Sequence, residues 1–167
     1  MTTKLLGLGM MGIVVSAFVC SGCSEGDSTA VIDIPIVTNE IPHAVHSVGD
    51  ATIMGTYEFD LDAGSGGTTV VPAGNTADVF WRRMTLTDSE LRPVNGATID
   101  IVGVVDFDNV TYEQVSGLSL GVSALNVGDL PAGTVVGFKT DGGRYGKMKV
   151  NSYAGNYDMS MSWLTWQ

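Results

Sequence analysis

Apolar and polar residues alternate with a period of two along most of the chain beyond residue 53. In the first such stretch, Tyr57, Phe59 and Leu61 alternate with acidic residues. Alternation of this kind is typical of a β-strand with one buried face. Similar stretches, separated by turns rich in Gly and Asn, predict strands at 57–62, 79–86, 99–105, 134–140, 145–153 and 157–166.

Short strands at this spacing predict an all-β fold, a single antiparallel β-sandwich or barrel-like domain. Residues 110–117 lack the alternation and predict a short helix. The sequence has no amphipathic helix long enough for an α/β layer, so we expect the sheets to pack on each other.

Methionines cluster on the last two predicted strands. Met159 and Met161 share a strand face with Trp163, and Met148 lies on the strand before. Methionine fills irregular gaps in a core, and aromatic rings bury a large area. Two interpretations stay open, a packed core or the wall of an apolar pocket. Exposed tryptophans would instead indicate an interaction surface, and the candidates for it are Trp81, Trp163 and Trp166.

The first 23 residues have the pattern of an export signal. Lys4 precedes an uncharged apolar run at 5–19, and small residues follow. The run is shorter than the ~20 residues that cross a bilayer core, which favours a cleaved signal. Ordinary secretion and an uncleaved anchor are the alternatives.

Ser21 and Gly22 before Cys23 resemble the lipobox of bacterial lipoproteins, although Cys20 stands where that family usually has Leu. The resemblance implies that Cys23 is acylated, and Ser24 implies anchoring in the outer membrane, if the envelope is Gram-negative. Several acyl chains hold a protein stably on a membrane.

We therefore expect three segments along the chain. Residues 1–22 form the lipoprotein signal peptide, 23–52 a lipidated tether, and 53–167 the all-β domain. Pro35 and Pro42 interrupt the tether, and proline removes a donor from a strand ladder.

The charge is strongly acidic. All 18 Asp and Glu residues follow residue 23, and seven basic residues remain once Lys4 is removed, giving a net charge of −11. This charge argues against nucleic-acid binding. The expected partners are the membrane, through the lipid, and a protein or a small apolar ligand.

Catalytic and metal-binding motifs are weak. The G-x-S-x-G match at 117–121 lacks a histidine after it, since His43 and His46 are the only two. These two residues cannot complete a zinc site alone. The stretch 60–66 is similar to the start of a calcium loop, but Gly64 and Val71 replace required oxygen donors. We predict no catalytic and no metal residues.

Residues 138–153 resemble the closing hairpin of the HmuY-type haem-binding lipoproteins. Residues 57–64 and 78–83 are similar to an early hairpin of that family and the strand after it, and 163–167 to its aromatic end. The resemblance implies haem capture, with iron held by His or Met side chains. The candidate contacts are Met148, Met159, Met161, His43 and His46.

The sequence thus predicts a lipid-anchored, non-enzymatic envelope protein that acts as a binding or interaction module. Capture of haem or another small ligand is the alternative, and a hydrolase is a more distant one.

Replacing Cys23 tests the anchor. We expect Cys23→Ala to abolish incorporation of an alkyne-labelled palmitate into the chain, because no thiol remains at the acylation position. Cys20→Ala is the matched control and should keep the label. Label retained in Cys23→Ala would contradict lipidation at this residue.

Overall fold

Two antiparallel five-stranded sheets pack together in the computed structural model, which describes residues 42–68, 76–85, 88–155 and 157–167. The signal peptide, Cys23, Ser24 and most of the expected tether lie outside the described residues. Within these described ranges, ten strands follow one another: β1 Val45–Ile53, β2 Tyr57–Asp60, β3 Ser65–Gly66, β4 Val79–Arg82, β5 Glu90–Pro93, β6 Thr98–Val104, β7 Leu125–Asn126, β8 Thr134–Lys139, β9 Tyr145–Ala154 and β10 Asp158–Trp166.

The first sheet has the order β1-β10-β9-β8-β6, and the second has the order β3-β2-β4-β5-β7. A helix, α1, spans Tyr112–Ser116, and a 3-10 turn spans Val127–Asp129. The all-β prediction is confirmed, as is the short helix within 110–117. Among the described residues, no helix is both long and apolar enough to cross a membrane.

The main core lies between the two sheets. The inward faces of β9 and β10 contribute Met148, Met159 and Met161, each fully buried, as the packed-core interpretation of the methionines expects. Burying a side chain of this size contributes about 1.5–3 kcal/mol. The second sheet contributes the opposing layer, whose largest members are Phe59, Trp81 and Leu91.

β1 corrects the expected start of the domain at Ile53. The strand begins at Val45 and pairs with β10 down to Ile53 opposite Met159. Its half-buried positions hold small residues such as Gly49, because the indole of Trp163 fills the space. A Cβ at Gly49 would lie 2.7 Å from that ring. Because the sequence of β1 lacks apolar alternation, it was assigned to the tether.

Two further strand predictions differ from the structure. β4 ends at Arg82, well before the predicted residue 86, and β2 ends at Asp60. The short strands β3, β5 and β7 were not predicted, because segments of two to four residues carry too little alternation.

Gly146 on β9 lies where β8 and β10 approach it closely. We therefore expect Gly146→Ala to destabilise the fold. A Cβ there would collide with the ring of Phe138 and lie 2.6 Å from the carbonyl oxygen of Leu164. Overpacking of this kind costs about 1–3 kcal/mol of unfolding free energy, measurable by urea denaturation. The control is Gly128→Ala, which meets nothing within 4 Å. Equal unfolding midpoints for the two variants would contradict this packing.

Candidate functional site

A cleft of about 380 Å³ lies where α1 faces β9 and β10. Its walls combine aromatic rings with charged groups, which is the composition expected of a small-ligand site. The lining residues that matter most are His43, Asp108, Tyr112, Glu113, Lys147 and Trp166.

Helix capping positions the aromatic side of the cleft. The Thr111 hydroxyl accepts a hydrogen bond from the Gln114 N–H at 3.3 Å, and the Gln114 side chain accepts one from the Thr111 N–H at 2.8 Å. This reciprocal capping box fixes the first turn of a helix. Tyr112, the first residue of α1, is therefore held at the cleft.

The rings form a small cluster around Tyr112. Trp166 and Tyr145 meet it edge-on, with centroids 5.8 and 5.6 Å away. The imidazole of His43 stacks on Tyr112 with centroids 3.6 Å apart and planes 17° apart. The edge-on contacts have the favoured geometry of aromatic pairs, whereas the His43 imidazole lies nearly face to face on Tyr112.

Lys147 is the buried charge of the cleft, with 4% of the residue exposed. Its ammonium donates hydrogen bonds to the carbonyl oxygens of Phe107 and Val110, the second at 2.8 Å. The Nζ atom also lies 5.6 Å from the centroid of Trp166. Burial lowers the pKa of Lys147, opposed by the nearby carboxylates of Asp108 and Asp106.

Sequence reasoning missed Lys147, because alternation puts it on the face opposite Met148, where a lysine normally meets solvent. The face is instead covered by the 107–110 segment and by α1, whose Val115 belongs to the second core cluster with Trp166. The predicted helix within 110–117 was the only signal that something could cover this face.

The acidic residues of the cleft are more exposed. His43 Nε2 lies 3.2 Å from Glu113 Oε1, and the Glu113 side chain is 49% exposed. Its own backbone N–H, the Thr111 hydroxyl and His43 lower the pKa of Glu113, so the carboxylate stays ionised at neutral pH. Together with Asp108, the lining carries two acids against the single ammonium of Lys147.

The structure separates the residues predicted as haem contacts. Met148, Met159 and Met161 lie in the main core at 0% exposure, whereas His43 lines the cleft. His46 is exposed on β1, where the register with β10 shifts.

The three tryptophans are buried, which corrects their assignment as exposed interaction residues. Trp81, Trp163 and Trp166 are 0%, 5% and 7% exposed. Trp81 Nε1 donates to the Tyr157 carbonyl oxygen at 2.7 Å, so its polar atom is satisfied inside the core. Only Trp166 also lines the cleft.

A second group of charged residues joins two turns of opposite sheets. One carboxylate oxygen from each of Asp62, Asp78 and Asp141 lies within 4.8 Å of the others. The buried Asp78 carboxylate accepts the backbone N–H groups of Leu61 and Asp141, each at 2.8 Å. Arg144 Nη1 pairs with Asp62 Oδ2 at 3.1 Å.

Oxygen clusters of this type suit hard cations. Here Arg144 pairs with Asp62, and two backbone N–H groups bond to Asp78. Burial, together with the carboxylates of Asp62 and Asp141, raises the pKa of Asp78. The Asp62, Asp78 and Asp141 group therefore links the loops that carry these residues. Asp106 and Asp108 belong to the cleft side of the molecule, where Asp106 accepts hydrogen bonds from its own loop. The calcium-like stretch at 60–66 is a turn closed by Asp60, which accepts the Ala63 N–H at 2.7 Å.

Comparison with protein-family models, with curated proteins and with solved structures finds no match to this chain. The resemblance to the HmuY-type lipoproteins therefore stays a prediction.

Asp78 should make stability depend on pH. Burial raises its pKa to about 7, above the unfolded value near 3.8. Between these values the folded chain keeps a proton that the unfolded chain releases, so the free energy of unfolding falls as pH rises. We expect the free energy of unfolding of the wild type, minus that of Asp78→Asn, to decrease by about 1 kcal/mol per pH unit from pH 5 to 7.

Urea denaturation over this pH range measures that difference. Thr134→Val is the matched control, because it alters a buried polar group that does not titrate. A slope that is the same in Asp78→Asn and wild type would show that another group carries the pH dependence.

Proposed function

We propose that the chain is a lipid-anchored, non-enzymatic binding module of the bacterial envelope, which holds a small ligand in the cleft beside α1. The observation that carries this proposal is the cleft itself, where a stacked and edge-on aromatic cluster meets the buried ammonium of Lys147. Apolar walls with a few oriented polar groups are what small-ligand recognition requires.

The way the charged groups are paired favours binding over catalysis. The Lys147 ammonium is held by two carbonyl oxygens, and His43 lies against Glu113. A general acid or base needs a proton-exchanging group directed at the substrate. The Lys147 ammonium, held by two backbone carbonyls, serves instead to shape the site and fix its charge.

The position of the cleft fits a tethered protein. His43 lies at the cleft and only two residues before β1. The segment from Cys23 to Pro42 spans at most about 70 Å when fully extended. A ligand bound in the cleft would therefore stay close to the membrane that carries the lipid.

Haem capture is the second candidate, and one observation favours it. Among the candidate contacts, His43 lines the cleft, and its side chain is 37% exposed. Histidine is a common axial ligand of haem iron. Axial ligation through Nε2 would break the Glu113 contact, whereas ligation through Nδ1 would leave it in place.

A titration of the full chain, purified in detergent, tests the cleft. The three tryptophans are labelled with 5-fluorotryptophan and assigned by single Trp→Phe variants. The probes are benzamidinium, benzamide and benzoate, which share a planar body and differ in charge. We expect at least one probe to shift the ¹⁹F resonance of Trp166 saturably, because Trp166 lines the cleft, and to leave that of Trp81 unchanged.

No shift with any probe, or equal shifts of all three resonances, would contradict a ligand site at this cleft. Hemin is the fourth probe and is followed by its Soret band. A stoichiometric Soret change that is lost in His43→Ala and kept in His46→Ala would favour the haem alternative. A change that both variants keep would place hemin outside the cleft.

A further inference from the structure

The charge of the cleft sets the class of ligand. Its lining carries the carboxylates of Asp108 and Glu113 against one ammonium, and Asp106 interacts electrostatically with the same ammonium. A bound anion would meet two or three like charges at short range. A bound cation would be attracted by the cleft and by the net negative charge of the chain.

The ammonium of Lys147 is a poor anchor for an anion. Two of its three donors are directed at the carbonyl oxygens of Phe107 and Val110. The Nζ atom also makes cation–π contacts with Phe107 and Trp166, at 4.5 and 5.6 Å from the ring centroids. The positive charge is therefore largely compensated inside the protein.

Two contacts within the aromatic cluster indicate which groups it binds. The Lys147 ammonium lies near the ring of Trp166, and the planar imidazole of His43 stacks on Tyr112 with centroids 3.6 Å apart. Aromatic faces attract cations through the ring quadrupole, and flat cations combine this attraction with stacking.

From these observations, we infer that the cleft binds a planar organic cation of the amidinium or guanidinium class. The inference rests on the proposed function, since it names the ligand class of the same site. The cation replaces the His43 imidazole on the Tyr112 ring, and the carboxylates of Asp108 and Glu113 supply its counter-charge.

The three isosteric probes distinguish the inferred cation preference from the proposed presence of a ligand site. We expect benzamidinium to bind more tightly than benzamide, and benzoate to bind most weakly, in the ¹⁹F titration of the full chain. Equal or tighter binding of benzamide or benzoate would overturn the cation assignment while leaving a ligand site in place. No binding by any probe would overturn both.

Single variants test the counter-charges. Asp108→Asn and Glu113→Gln should each weaken benzamidinium binding by about two- to fivefold, the range for one exposed ion pair. Binding of benzamide should not change. The matched control is Asp129→Asn, an exposed acid outside the cleft lining, which should leave both affinities unaltered. Unchanged benzamidinium binding in both cleft variants would overturn the assignment.

A guanidinium group can belong to a free small molecule or to an Arg side chain of a partner protein. Methylguanidinium and a blocked Gly-Arg-Gly peptide distinguish these sources in the same titration. Tighter binding of the free cation assigns a small-molecule ligand, and tighter binding of the peptide assigns a partner side chain. Failure of both cations, with benzamide bound, would overturn the inference.

Discussion

The packing of Trp163 is the contact on which the arrangement of the two sheets depends. Its indole covers Gly49 on β1 and Gly64 in the turn after β2, where an added Cβ would lie 2.7 and 2.8 Å from the ring. Phe59 meets it edge-on at 5.0 Å. One side chain therefore joins the edge strand of the first sheet to the second sheet. Interiors are packed so tightly that such a contact fixes the positions of all its neighbours.

Alternation along the chain was sufficient to predict the central strands and the apolar layer that they bury. β8, β9 and β10 carry large inward residues, so the pattern of Met148, Met159 and Met161 is unambiguous. β1 could not be predicted, because the volume that completes its inward face belongs to Trp163, more than 100 positions later in the chain. A strand whose partner supplies the bulk has no apolar signal of its own.

The site was less predictable than the fold, because its residues acquire their roles from distant partners. The local sequence predicts that Lys147 faces solvent, but in the fold α1 and the 107–110 segment cover it. Asp62, Asp78 and Asp141 come together from two turns and the segment before β4, and nothing in their local sequence indicates the pairing. His43 was a candidate from residue type alone, and only the fold gives it Tyr112 and Glu113 as neighbours.

The two buried ionisable side chains are hydrogen-bonded in opposite ways. Asp78 accepts backbone N–H groups, whereas Lys147 donates to backbone carbonyls. Leaving such a group unpaired inside a protein costs several kcal/mol, so each side chain constrains the loops around it to one conformation. Lys147 in this way holds the wall of the cleft, and Asp78 holds the turns at Leu61 and Asp141.

The placement of His43 has a mechanical consequence. The residue lies between the segment that precedes Pro42 and the first hydrogen-bonded pair of β1, Val45 with Trp166. Tension applied along that segment would reach the stacked rings of His43 and Tyr112 before it reached the sheet. Displacement of the imidazole would expose the Tyr112 ring without breaking any strand pair of β1.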